Sequence, residues 1–180
     1  MKSLIIISKF PQASELNPIL YDRVCENFYL EPDGNQNRGQ SDLRARRTDF
    51  NLHKKNFKEV DILLAWIKEL LPEVSTKFAS ENVEEYYNFN QQHFKLVGCW
   101  GAHYNRGEGL TKHNHFPYTI SFVYYVKTPE GFSPLIIEDE NIDVKEGQCV
   151  FFLAHQYHSV QPSNCDGRCV IAGNFLYDFR

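Results

Sequence analysis

The sequence predicts a mainly β protein with N-terminal helices, its strands arranged as a sandwich or jelly roll. Helical periodicity is found only in the first half, where apolar residues recur at three- and four-residue steps. From about residue 94 the chain becomes a succession of short runs rich in β-branched and aromatic residues. Those runs are separated by Gly, Pro and Asn turns at a short, regular spacing, which favours packed antiparallel sheets over a parallel α/β sheet. A length of 180 residues with 42% hydrophobic content suits one domain with one sizeable core. Within it, residues 1–93 form an N-terminal strand, a long polar loop and a supporting helix, and residues 94–180 form the β core.

The opening "MKSLIIISKF" reads as a first strand. Its apolar run is too short for a membrane span, and no small-residue cleavage site of a signal peptide follows it. Residues 31–56, "EPDGNQNRGQSDLRARRTDFNLHKKN", are polar and rich in Gly, Asn and Arg, and read as a long surface loop. Its length makes it the place to look for substrate contacts. From Phe57 the residues Val60, Leu63, Leu64, Ile67, Leu70, Leu71 and Val74 mark one face of an amphipathic helix, which Pro72 should end or kink. Trp66 lies off that stripe and reads as a packing aromatic. "ENVEEYY" at 81–87 reads as a solvated acidic helix face. The strand candidates are then "FKLVGCWGAHY", "YTISFVYYVK", "SPLIIEDE", "QCVFFLAH" and "RCVIAGNFLY".

Charge and cysteine content narrow the function. A net charge of −4 and a pI near 6.0 give no general attraction to nucleic acid or anionic lipid, the local "LRARR" at 43–47 notwithstanding. The five cysteines are odd in number and contain no C-x-x-C, so neither a disulfide framework nor a cysteine zinc site is indicated. A reducing cytoplasm is the expected compartment, without membrane partners. No feature specifies an oligomeric state.

The chemistry concentrates in "LTKHNHFPYTISFVYYV". The HNH tripeptide is no nuclease signature, because the letters of that name denote well-separated residues. In a strand, alternate side chains share a face, so His113 and His115 would project together and could chelate a divalent metal. A second segment, "FFLAHQYHSVQP", ends a buried strand in His155 and His158, either of which could be the third ligand of a facial set with open positions. Ten residues after His158 stands Arg168, whose guanidinium suits bidentate recognition of a carboxylate.

Together these motifs resemble the 2-oxoglutarate- and Fe(II)-dependent oxygenases, in particular the prolyl-hydroxylase-like branch and its small bacterial and phage relatives. The resemblance covers roughly residues 98–177. "HNHFPYTISFVYYV" matches a first motif of the form His-x-Asp followed by a strand reading Tyr-Tyr-Leu, with His113 as first ligand and His115 at the position of the acid. "EGQCVFFLAHQYHSVQP" matches the distal-histidine segment, and that match selects His158 over His155. The resemblance implies a double-stranded β-helix, Fe(II) held by His113, His115 and His158, and 2-oxoglutarate as cosubstrate with its far carboxylate on Arg168. Tyr125, on the strand after the first motif, would share that carboxylate. It implies hydroxylation of a protein side chain or small molecule, with release of succinate and CO2.

Two departures stand out. His115 replaces the usual carboxylate, giving three neutral imidazoles, and Val170 occupies a position where the family commonly has Ser. Two other functions compete: a cupin-like three-histidine iron dioxygenase without 2-oxoglutarate, and a non-catalytic jelly-roll binding module. His103 and Tyr104 are candidate pocket residues. Asn174 is placed near the metal by analogy, and Cys165 and Cys169 read as ordinary thiols.

Overall fold

A computed structural model describes residues 4–29, 43–80 and 91–178. Strand β1 (Ile5–Lys9) leads into helix α1 (Ala13–Glu26). Two short strands follow, β2 (Leu43–Arg44) and β3 (Arg46–Arg47), and then a 3-10 turn at Leu52–Lys54 and helix α2 (Lys58–Ser80). The β core comprises β4 (Phe94–Tyr104), β5 (Gly109–His113), β6 (Ile120–Lys127), β7 (Leu135–Ile137), β8 (Glu140–Ile142), β9 (Gln148–Leu153), β10 (His158–Val160) and β11 (Arg168–Tyr177).

These strands form two antiparallel sheets, a major one in the order β1-β9-β6-β11-β4-β3 and a minor one in the order β2-β5-β10-β7-β8. From β4 onward the chain alternates between the sheets, apart from the β7–β8 hairpin, which stays in the minor one. That alternation is a double-stranded β-helix, the jelly-roll architecture expected.

Both faces of the major sheet are buried, which explains the near-continuous apolar runs of β6, β9 and β11. Side chains of one parity, such as Ile120, Phe122, Tyr124 and Val126 on β6, pack outward with Leu16, Leu20 and Val24 of α1 and Val60, Leu63, Ile67 and Leu71 of α2. Those of the other parity, including Val123, Tyr125, Val150, Phe152 and Val170, face the minor sheet with Leu135, Ile137 and Val160. Gly101 is required by this layering: a Cβ there would lie 2.4 Å from Val24 Cγ2, so any side chain would lift α1 off the sheet.

Two expectations are corrected, and one element is new. Helix α2 does not end at Pro72 but continues through it to Ser80, because Val74 and Phe78 extend its buried stripe onto the sheet. The 31–56 segment is not all loop: 31–42 lies outside the described residues, but β2 pairs with β5 in one sheet and β3 with β4 in the other, so "LRARR" bridges the two sheets. Helix α1 had no sequence assignment. Its stripe of Ala13, Leu16, Leu20 and Val24 carries a buried Asn17, which accepts the Tyr124 hydroxyl, and Pro18 lies within the helix on its exposed side. The acidic 81–87 stretch lies outside the described residues. Trp66 packs as expected, its ring 5.0 Å from Phe10. No helix among the described residues is long and apolar enough to cross a membrane.

Candidate metal and cosubstrate site

His113 is the last residue of β5 and pairs directly across from His158, the first residue of β10. Pairing alone brings these two imidazoles together from residues 45 apart in sequence, with ring centroids 4.3 Å apart. His115 is not on a strand, contrary to the simple alternation argument; it lies two residues past the end of β5. Its amide donates to the Ala154 carbonyl (2.7 Å) and its own carbonyl accepts from the Tyr118 amide (3.0 Å), and this turn swings the ring back to 4.9 Å from both other histidines. One nitrogen from each of the three rings falls within 4.8 Å of the others.

A tight turn after β9 sets His155 and His158 in different surroundings. The Leu153 amide donates to Gln156 Oε1 (2.9 Å) and the Gln156 amide donates to the Leu153 carbonyl (2.9 Å), leaving His155 exposed and His158 only 3% exposed.

The donor set fits a divalent transition metal. His113 Nδ1 lies 2.9 Å from the Thr111 carbonyl and His158 Nδ1 lies 3.4 Å from the Gln156 carbonyl. A carbonyl can only accept, so Nδ1 carries the proton on both rings and Nε2 keeps its lone pair for a metal. Burial, reinforced by the neighbouring imidazoles, lowers His115 to about 4 and His158 to about 3, so both are neutral at physiological pH.

A cavity of about 530 Å³ runs from the triad into the barrel, and the inner face of the major sheet forms its wall. The pairing register arranges this wall in rungs: Tyr104 beside Arg168, Ala102 beside Val170, Trp100 beside Ala172 and Val123, and Gly98 beside Asn174 and Ser121. His158 lies beside Phe152 (4.9 Å between centroids) and His115 beside Trp100 (5.7 Å), which sets the triad level with the last two rungs. Arg168 therefore stands at the deep end and Asn174 toward the mouth.

Arg168 is 1% exposed, and its Nε and Nη1 have no hydrogen-bond partner among the described residues. Its guanidinium lies over the rings of Tyr104 (4.6 Å) and Tyr125 (5.5 Å). A buried cation with orphaned donors is costly unless an anion joins it, so this end of the cavity fits a carboxylate. Tyr125, predicted to share that carboxylate, does not line the cavity; its buried hydroxyl lacks a partner and its ring backs Arg168. Burial raises the Tyr125 phenol, with the Arg168 charge opposing, and lifts the Tyr104 phenol to about 12 against the same opposition.

Tyr104 lines the cavity whereas His103, on the opposite face of β4, bonds the Tyr21 hydroxyl at 3.0 Å. Asn174 also lines the cavity. Sequence reasoning missed Trp100, Ser121 and the Arg47–Phe50 contact (4.3 Å) at the rim, since nothing but the strand register marks them. Cys169 points outward into the core under the helices, where burial pushes its thiol up and leaves it inert.

No protein-family profile and no curated protein matches the chain. Solved structures do. A prolyl-4-hydroxylase from Pseudomonas putida superposes with a TM-score of 0.68 at 17% identity, over 98% of this chain and 94% of that one. The viral collagen prolyl hydroxylase of Paramecium bursaria Chlorella virus-1, in its 2-oxoglutarate complex, gives 0.67 at 13% identity, over 95% and 94%. The non-heme alpha-ketoglutarate-dependent epimerase SnoN of nogalamycin biosynthesis gives 0.66 at 8% identity, over 97% and 78%. At these identities the likeness establishes the double-stranded β-helix fold of these enzymes. It extends beyond residues 98–177 to nearly the whole chain.

Proposed function

We propose that the chain is a 2-oxoglutarate- and Fe(II)-dependent dioxygenase that hydroxylates a protein side chain or a small molecule. The observation that carries this function is the buried Arg168 guanidinium, with Nε and Nη1 lacking partners among the described residues, in the same cavity as three convergent imidazoles. His113, His115 and His158 would hold Fe(II) through Nε2. Arg168 would take the far carboxylate of 2-oxoglutarate, with Tyr125, whose ring backs the guanidinium, outside the cavity lining.

When bound, the iron and 2-oxoglutarate supply the oxidising equivalents for C–H hydroxylation, with succinate and CO2 as co-products. The chain's own residues do the rest. The Nδ1–H bonds of His113 and His158 hold two rings in the metal-binding tautomer. Ala102, Val170 and Ala172 form a dry apolar wall between Arg168 and the triad, in which a charge-assisted fork is stronger than in water. The five free cysteines support a reducing compartment, which agrees with the proposed cytoplasmic location.

The histidine at 115 favours a second function, a three-histidine iron dioxygenase that uses no 2-oxoglutarate. Such an enzyme has no use for an unpaired guanidinium at the base of the cavity, so the first function is preferred. Anaerobic titration with Fe(II) and then 2-oxoglutarate separates them through the visible metal-to-ligand charge-transfer band of the chelate. A band that disappears in His158→Ala and weakens in Arg168→Ala is the expected result. Iron binding without a band moves the three-histidine alternative ahead, and no metal binding leaves a binding module.

A further inference from the structure

The mouth-side rung of the cavity carries a buried polar pair that neither the triad nor the cosubstrate anchor uses. Asn174 on β11 is 4% exposed and Ser121 on β6 is 1% exposed; the register sets them side by side, and Ser121 Oγ donates to Asn174 Oδ1 at 2.7 Å. Both line the cavity. That bond fixes the side-chain amide and leaves its NH2 as the remaining polar group of Asn174 on the cavity wall. On a wall otherwise lined by Ala172 and Val170, this rung thus presents a donor to the cavity.

Arg168 closes the deep end, so the molecule to be oxidised must enter from the mouth, where Asn174 stands level with the triad. The donor there is neutral, and the neighbouring surface is aromatic: Trp100, half-buried, packs edge-on against Phe50 (5.2 Å), which is 47% exposed. A neutral donor beside an aromatic face matches an uncharged carbonyl, which one neutral hydrogen bond satisfies, while the Arg47 guanidinium is already stacked over Phe50 (4.3 Å) at the rim.

We propose that Asn174, oriented by Ser121, is a positioning residue for the prime substrate, donating through Nδ2 to a neutral amide carbonyl whose apolar neighbours rest on Trp100 and Phe50. This rests on the oxygenase function proposed above and assigns the substrate class to uncharged carbonyl compounds of the amide type.

The test uses the full chain loaded with Mn(II) and 2-oxoglutarate under argon. The probes are the N-acetyl amides of apolar amino acids, with the matching free amino acids for comparison. Paramagnetic relaxation of the probe protons reports binding beside the metal, and the Fe(II)–2-oxoglutarate band is recorded separately on each variant. The expected result is relaxation of amide probes by wild type and about five- to ten-fold weaker binding in Asn174→Ala, the loss of one hydrogen bond. The near-isosteric Asn174→Asp should weaken it at least as much, and Ser121→Ala to a smaller degree.

Amide binding by Asn174→Ala and Asn174→Asp as tight as that of wild type overturns the proposal, as does wild-type protein that relaxes free amino acids as strongly as amides, or no amide at all. A wild type that gives no charge-transfer band sinks the oxygenase function itself. A band that is present while the Asn174 variants bind amides normally sinks only the role of Asn174.

Discussion

His158 and His113 are direct cross-strand partners in the minor sheet, and the hydrogen-bonded register rather than any local motif brings their rings to 4.3 Å. Two imidazoles held this close cannot both be charged cheaply, and His115 adds a third. Burial and proximity keep His115 and His158 neutral, and neutral imidazole is the form that binds a metal.

The pH dependence of the metal-free protein follows. His115 and His158 titrate near 4 and 3 in the folded chain, below the ordinary value of about 6.5 that they regain on unfolding. The unfolded state therefore binds more protons across this window. Stability is fully present above about pH 6.5 and falls as the pH drops toward the folded values. By pH 5 each histidine should remove on the order of 2 kcal/mol. Urea unfolding of chelator-treated protein at pH 7.5 and 5 measures this, and His115→Asn should flatten the slope. A slope that His115→Asn leaves unchanged would show that carboxylates elsewhere dominate.

His115 sits where a carboxylate would neutralise part of the metal's charge. His115→Ala should weaken Fe(II) binding by more than the ~10- to 100-fold that loss of a ligand's supporting hydrogen bond causes. His115→Asp should recover part of that loss, because the anion compensates in charge for its shorter reach. Anaerobic chelator competition orders the three proteins, and an alanine variant that binds Fe(II) as tightly as wild type would remove His115 from the ligand set.

The β half of the fold was legible because its strands are buried on both faces and bounded by turn residues, leaving long apolar runs in the sequence. The histidine set was legible through motif order. What sequence could not supply was whatever pairing decides. Leu43–Arg44 and Arg46–Arg47 look like loop until their partners β5 and β4 are present, since two-residue strands carry no periodicity. Helix α1 was hidden by Pro18 and by polar Asn17 on its buried face. Tyr104 and Tyr125 sit on neighbouring rungs of the same sheet, and only the register reveals that Tyr104 lines the cavity while Tyr125 backs Arg168.

Pro72 gives a separate test of how tertiary packing overrides local preference. It sits inside α2, where it leaves the carbonyl four residues earlier without its helical partner, yet the helix continues to Ser80. Its own carbonyl accepts from the Thr76 hydroxyl at 2.8 Å. A proline in a helix interior costs about 3 kcal/mol relative to alanine, offset by about 1 kcal/mol from a less flexible unfolded chain. Pro72→Ala should therefore stabilise the protein by roughly 1–2 kcal/mol, seen as a rise of several degrees in Tm. An unchanged or lower Tm would mean that the ring itself fills space that alanine leaves empty.

Arg168 should behave oppositely with and without cosubstrate. Among the described residues its buried charge meets Tyr104 and Tyr125 and no anion, and contacts with those rings of about 1–2 kcal/mol do not recover the several kcal/mol of desolvation. Replacing it by methionine, of similar reach and no charge, removes that penalty. Arg168→Met should match or exceed wild type in Tm when no 2-oxoglutarate is present. With Mn(II) and 2-oxoglutarate added, wild type should gain stability by mass action while the variant should not, because losing one partner of a buried charge pair costs about 2–5 kcal/mol, or at least ~30-fold in affinity. Thermal unfolding of both proteins with and without the cosubstrate gives all four values. A variant that loses Tm in the free protein would mean that Arg168 is held by its aromatic neighbours as a structural cation, and its orphaned nitrogens would then say nothing about a carboxylate.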